Sequence, residues 1–168
     1  AQCIQNGSDV TIIATGRMVK RSEEVAKLTT KSVEILAMPT IKPLDTKSII
    51  ESAKKTGSVI AVTGAIDLVS DGERCYVIRN GRPEMGKITG TGCQLSALTG
   101  AYVSANPQNL LRAALAATCA MGLCGEIAQG RLQPEDGNAA YRDRIIDAVF
   151  HLTAEDLEKG ARYELYEG

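Results

Sequence analysis

The sequence predicts an α/β fold: a three-layer sandwich with a mostly parallel sheet plus a β-hairpin. Three observations lead there. Short apolar runs rich in β-branched residues (VTIIATG at 10–16, VEILAM at 33–38, then Val59 to Thr63) alternate with helical patterns. That order implies parallel strands joined by right-handed helical crossovers. The alternation then gives way to two short strands around Asp71-Gly72-Glu73, as an antiparallel hairpin does. Finally, hydrophobic residues make up 44% of the chain but aromatic residues only 4%, so the core is aliphatic and closely spaced.

The elements follow in order. Val10 to Gly16 is an apolar run ending in glycine, typical of a buried parallel strand. Met18, Ser22, Val25, Ala26 and Leu28 then fall roughly on one helical face. Val33 to Met38 is the second strand, broken by Pro39. The segment TIKPLD is a loop whose Asp45 caps a helix running to about Lys55, with Gly57 just past its end. Val59 to Thr63 is the third strand. Asp67 to Ser70 and Cys75 to Arg79 form the hairpin, and Asn80-Gly81 is a further turn. A glycine-rich loop becomes a helix near Cys93. Asn106-Pro107 reads as the start of the next helix, with proline in its first turn. That helix, LLRAALAATCAMGLCGEIA, is apolar around most of its circumference and so packs on more than one side. Pro134 begins another turn, Tyr141 to Val149 is helical, and Thr153 to Lys159 is a short helix with Thr153 as cap and Asp156 at the capping-box position. No repeat or low-complexity linker interrupts the 168 residues, a length that suits one domain.

Composition excludes several function classes. Nineteen Lys and Arg face 20 Asp and Glu, a net charge of -1, which argues against a nucleic-acid partner. The scarcity of aromatic rings removes stacking platforms for single strands. No apolar stretch free of polar interruption is long enough for a bilayer, and residues 1 to 7 lack the pattern of a signal peptide, so no membrane partner and a cytoplasmic location are expected. The five cysteines (Cys3, Cys75, Cys93, Cys119, Cys124) form no C-x-x-C pair, and His151 is the single histidine. No zinc cluster and no metal site is expected from them, and free thiols in a reducing compartment are the simpler reading.

The loop Gly90-Thr91-Gly92-Cys93 carries the best chemical signal. Two glycines let backbone N–H groups converge on an anion, and the following helix points its positive end at the same place. A phosphate or sulfate would be well served there. Cys93, at or near the helix start, could take a proton from an alcohol, or orient it, as that alcohol attacks phosphorus. The same residues also make an ordinary tight turn with a packed cysteine, and both readings stay open. The loop is not a P-loop, because no Gly-Lys-Ser/Thr follows, and the first strand ends in TGRM without the further glycines of a dinucleotide fingerprint. Thr63-Gly64 is a second candidate, at the end of a predicted strand, where the Thr63 hydroxyl could meet phosphate or simply cap a turn. Asp67, Asp71 and Glu73 could approach a metal, but hairpin carboxylates usually face solvent. Lys42 and Lys87 read as solvated.

Two resemblances attach to these residues. From about Ile60 to Gly168 the chain resembles the C-terminal half of hydroxyethylthiazole kinase, a ribokinase-like family of thiamine salvage, through AVTGAIDLVSDG, NGRPEMGKITGTGCQLSALTGAYVSA, the helix ending GLCGEIA, and NAAYRDRIIDAVFHLTAEDLEKGARYE. That resemblance implies ATP and Mg2+ as reactants, Thr63 as a nucleotide contact, Gly90 as a substrate contact at an anion loop that includes Thr91 and Gly92, Cys93 at the catalytic-base position, and assembly as a homo-oligomer. From about Asn6 to Gly57 the pieces GSDVTIIATGRMV, MPTIKPLD and IIESAKKTG are similar to the C-terminal domain of transketolase, a module from which no catalytic residue carries over.

Taken together, the two resemblances imply an engineered chimera joined near Gly57, an α/β protein without dedicated catalytic activity that requires no cofactor and keeps a relic phosphate or nucleotide loop. A parallel strand reads alike whichever protein donates it, so such a graft is physically admissible. The alternatives are an active hydroxyethylthiazole kinase, transferring the ATP γ-phosphate to the thiazole alcohol, and an assembly or binding module.

Overall fold

The computed structural model describes residues 1–39 and 46–166. The chain divides into two units, one of Ala1–Ile60 with Ser70–Arg74, the other of Ala61–Val69 with Cys75–Gly168. The expected cap at Asp45 and the lysine Lys42 lie outside the described residues.

The first unit holds strands β1 (Gln2–Gln5), β2 (Val10–Ala14) and β3 (Val33–Ala37) and helices α1 (Arg17–Ala26) and α2 (Thr46–Thr56). β3 is central, in the order β1-β3-β2. The β2-α1-β3 unit is parallel as the sequence predicts, with Val10 opposite Val33 and Ala14 opposite Ala37. β1 runs antiparallel to β3 on the other edge, with a register shift between Cys3 and Gln5. Val33, Ile35 and Leu36 are buried, as a strand paired on both sides requires. Facing in from α1 is Ser22, its hydroxyl donating to the Met18 carbonyl at 2.9 Å. Met18 and Val25 of the expected apolar face are exposed, as is Leu28 beyond the end of the helix, so that face is not buried as a unit. Gly57, at φ 62°, ends α2 in the left-handed conformation anticipated for it.

Glu34 is buried within β3, at 3% exposure. Its carboxylate accepts from the Thr11 hydroxyl at 3.0 Å, from the Lys55 ammonium at 2.8 Å and from the Ser52 hydroxyl. Burial alone pushes the carboxyl upward, but these three donors outweigh it and hold Glu34 below the ordinary glutamate value. A buried carboxylate survives only with such partners.

The second unit carries most of the hairpin and the helices. β4 (Ile60–Val62), β5 (Asp67–Ser70), β6 (Cys75–Ile78) and β7 (Tyr163–Leu165) form an antiparallel sheet in that order. β7 pairs with β6 from Tyr76 opposite Leu165 to Ile78 opposite Tyr163. Between them come a 3-10 helix (Pro83–Lys87), α3 (Thr91–Ala105), α4 (Leu110–Gly130), α5 (Asn138–His151) and α6 (Ala154–Gly160). α4 is the hub on which α3, α5, α6 and β6 pack. Met121, Cys124 and Ala128 of α4 meet Ile88 and the α5 residues Tyr141, Ile145 and Ala148, and the Tyr141 hydroxyl donates to the Gly125 carbonyl at 2.9 Å. α4 is long and apolar enough to cross a membrane, but 72% of its apolar window is buried in the fold, which makes it a core helix. Cys3 and Cys93 are exposed thiols; burial pushes the thiols of Cys119 and Cys124 up to about 11.

The mostly parallel, three-layer sheet therefore does not form. The described residues form two sheets, one mixed and one antiparallel. β4 joins the hairpin rather than continuing the β2-β3 sheet, and β1 and β7 add antiparallel edges. Both added strands are short and exposed along their length, so they lack the apolar run that marks a strand in sequence. The helix start at Asn106-Pro107 also moves. Asn106 ends α3, its N–H donating to the Val103 carbonyl, and Asn109 caps α4 by accepting the Arg112 N–H at 3.2 Å. The Thr153–Asp156 capping box forms as read.

Candidate functional site

A cavity of about 510 Å³ opens within the second unit, inside the usual range for small-molecule sites. Four segments make its walls: the turn after β4 (Thr63, Gly64, Ala65, Asp67), the chain leaving β6 (Arg79 to Pro83, then Met85 and Gly86), the first turn of α3 (Thr91, Gly92, with Leu95), and α4 (Thr118, Met121, Gly122).

The glycine loop is built for its turn. Gly90 caps α3 at φ 101°, a left-handed conformation that a Cβ disfavours. The first bond of the helical ladder is Gln94 N–H to Gly90 C=O, 2.9 Å. The N–H groups of Thr91, Gly92 and Cys93 precede that ladder and lie at the positive end of the helix dipole. A Cβ at Gly92 would meet nothing within 4 Å, so open space borders the first turn. The Thr91 hydroxyl is 3.5 Å from the carbonyls of Met85 and Ile88, the outer limit of a hydrogen bond. Of the candidate site residues singled out in the sequence, Thr63, Gly64, Asp67, Thr91 and Gly92 line the cavity; Gly90 and the exposed Cys93 adjoin it without lining it.

The acidic residues of the hairpin separate by role. Among the described residues Asp67 is the one carboxylate on the cavity wall. It accepts the Gly64 N–H at 2.8 Å, closing the turn that carries Thr63. Burial pushes its carboxyl above the ordinary aspartate value, against the pull of that N–H. Asp71 instead closes the hairpin turn, accepting from the Glu73 and Arg74 N–H groups at 3.0 and 2.7 Å and pairing with the Arg74 guanidinium. Glu73 is exposed, and Lys87 is exposed at the end of the 3-10 helix and does not line the cavity. Among the described residues no group of three His, Cys, Asp or Glu could hold a metal ion.

Sequence reasoning passed over the wall formed by residues 79–85 and the α4 residues behind it. The signal present was a pair of glycines three apart on α4, beside an Asn-Gly turn. A Cβ at Gly122 would come 2.6 Å from Asn80, and one at Gly125 2.2 Å from the Met85 sulfur. The two glycines let this segment lie directly against the helix.

A sequence profile of the hydroxyethylthiazole kinase family matches residues 18–155. The chain belongs to the hydroxyethylthiazole kinase family. The kinase of Clostridium acetobutylicum is 46% identical over 165 residues, covering 96% of this chain and 57% of its own length. That of Granulibacter bethesdensis is 42% identical over 113 residues, covering 67% of this chain and 40% of its own. The solved hydroxyethylthiazole kinase structure from Pyrococcus horikoshii OT3 superposes with a TM-score of 0.61 at 25% identity, over 92% of this chain and 55% of that one. The chain thus spans about half the length of these relatives.

Family membership overturns the chimera. The match runs unbroken through the supposed join at Gly57, so residues 6–57 are hydroxyethylthiazole kinase sequence and no transketolase segment exists. The reading of an engineered protein without catalytic function falls with it. The misleading likeness has a physical origin: any parallel β-α-β unit shows an apolar β-branched strand, a glycine turn and an amphipathic helix of one handedness, so unrelated proteins converge on the pattern.

Proposed function

We propose that the protein phosphorylates the alcohol of hydroxyethylthiazole with ATP. The observation that carries this reading is the convergence, in a chain of this family, of Thr63, Thr91 and Gly92 on one cavity at the start of α3. In the proposed reaction the Thr63 hydroxyl donates to the nucleotide phosphates. The N–H groups of the 90–93 loop hold the charge that develops on the transferring group, whose chemistry is mainly positioning and electrostatic stabilisation. Gly90 leaves room for the substrate to approach the loop. The alcohol oxygen forms the new P–O bond as ADP leaves, and its proton passes to the Cys93 sulfur. Mg2+ supplies charge neutralisation across the phosphates when bound; such ions usually take one or two carboxylates and otherwise water and phosphate oxygens, and Asp67 is the wall carboxylate that fits that need.

The test is a coupled ADP-release assay on the purified chain with ATP, Mg2+ and the thiazole alcohol, with the phosphate ester identified by mass. ADP release that requires the alcohol is expected. Its absence at saturating ATP and alcohol overturns the reading.

A further inference from the structure

Glu126 stands on α4 behind the cavity and does not line it. Its side chain is 14% exposed. The carboxylate accepts the Gly81 N–H at 2.6 Å and engages the Arg162 guanidinium through both oxygens, Nη1 to Oε2 at 2.9 Å and Nη2 to Oε1. Arg162, in the chain after α6, reaches the same stretch three more times. Its Nη2 donates to the Arg79 carbonyl at 3.0 Å, its carbonyl accepts the Arg79 N–H at 2.9 Å, and its N–H donates to the Asn80 side-chain oxygen at 2.7 Å. The Asn80 amide completes the tie by donating to the Gly160 carbonyl at 2.9 Å. Arg79 to Arg82 is the cavity wall, and it is held from behind by α4 and by the segment after α6.

The chemistry of that tie is unusual for its place. Apart from the Tyr141 hydroxyl bond to Gly125, α4 meets α5 and Ile88 by apolar packing, which is non-directional. Here a mostly buried carboxylate and a guanidinium replace it, a choice that contributes little to net stability because desolvation offsets attraction. What two charged, multiply bonded groups do supply is direction. Gly81, at φ 112°, has no side chain to pack, and its N–H is directed by Glu126. Burial pushes the Glu126 carboxyl up, while Arg162 and the Gly81 N–H outweigh it and hold the group below the ordinary glutamate value. It therefore stays an acceptor at neutral pH.

We propose that Glu126 is a positioning residue, which sets the cavity wall at Arg79–Arg82 through the Gly81 N–H and Arg162 and so controls nucleotide affinity without touching the nucleotide. The inference rests on the kinase reading of the cavity. Its test is steady-state kinetics of wild type, E126A, E126Q and R162Q, with amide exchange at Gly81 followed by NMR. In E126A the KM for MgATP rises about tenfold, the scale of a lost hydrogen bond to a charged group, while kcat stays within about threefold. E126Q, whose amide oxygen still accepts from Gly81, recovers most of the affinity; a purely stabilising ion pair would not be rescued this way. An unchanged KM in folded E126A overturns the proposal. Should E126A fail to fold, R162Q carries the same test, with a raised KM expected and an unchanged one overturning it. If wild type shows no alcohol-dependent turnover, the kinase reading falls separately, and exchange decides the positioning role. A Gly81 amide protected in wild type and E126Q but fast in E126A, or in R162Q, supports it; equal exchange in all overturns it.

Discussion

Gly122 of α4 lies against Asn80 so closely that a Cβ added to the glycine would come 2.6 Å from the Asn80 Cβ and 2.7 Å from its backbone carbonyl carbon. The obstacle is main chain, not the end of a flexible side chain, so it yields only if the cavity wall moves. Alanine is otherwise the better helix former by about 1 kcal/mol, but overpacking a tight contact costs about 1–3 kcal/mol, and the clash wins. Gly122→Ala is expected to lower the urea midpoint without changing the slope. Gly100→Ala on α3, where a Cβ meets nothing within 4 Å, is expected to raise it. Equal effects at both sites would contradict the close approach.

Cys93 is exposed at the third residue of α3, where removing a sulfur leaves no cavity. Cys93→Ala is therefore expected to leave the circular dichroism and melting temperature unchanged. Loss of a positioned acid–base group lowers kcat by about 10²–10⁴. A variant that turns over at the wild-type rate rejects the role assigned to this thiol.

Glu34 sets an acid limit on the first unit. Burial raises its carboxyl, but donation from Lys55, Ser52 and Thr11 prevails and the folded value lies below the ordinary 4.5. The folded state thus binds the proton less readily than the unfolded chain. Its stabilising contribution is complete above about pH 4.5 and is lost as the pH falls through the lower, folded value. Urea titrations between neutral pH and pH 3 are expected to show wild type losing more stability than Glu34→Gln, which has no carboxyl to protonate there. Parallel curves would show that Glu34 is not ionised in the fold.

Much of this protein is legible residue by residue. The strand at Val10–Ala14, the hairpin around Asp71-Gly72, the cap at Gly57 and the Thr153–Asp156 box all follow from local patterns, because each rests on neighbours within one or two turns of chain. The same locality explains the errors. Leu28 fitted a helical face but lies beyond the end of α1 and is exposed, and Asn106 looked like a helix start but ends one. The likeness of residues 6–57 to transketolase came from a pattern that any parallel unit shares.

The sequence by itself determined that β2 to β6 are strands and α1 to α6 helices, the glycine-rich entry to a helix at residues 90–93, and the hydroxyethylthiazole kinase likeness from Ile60 onward. Only the tertiary structure decided that β4 joins the hairpin, that β1 and β7 run antiparallel beside their partners, that Asp67 faces a cavity while Asp71 closes a turn, and that Glu126 and Arg162 hold the wall at Gly81. The reason is range. Periodicity and capping are settled by contacts a few residues apart, whereas strand pairing and cavity walls join segments distant along the chain, and an apolar run or a lone carboxylate carries no mark of which distant segment it will meet.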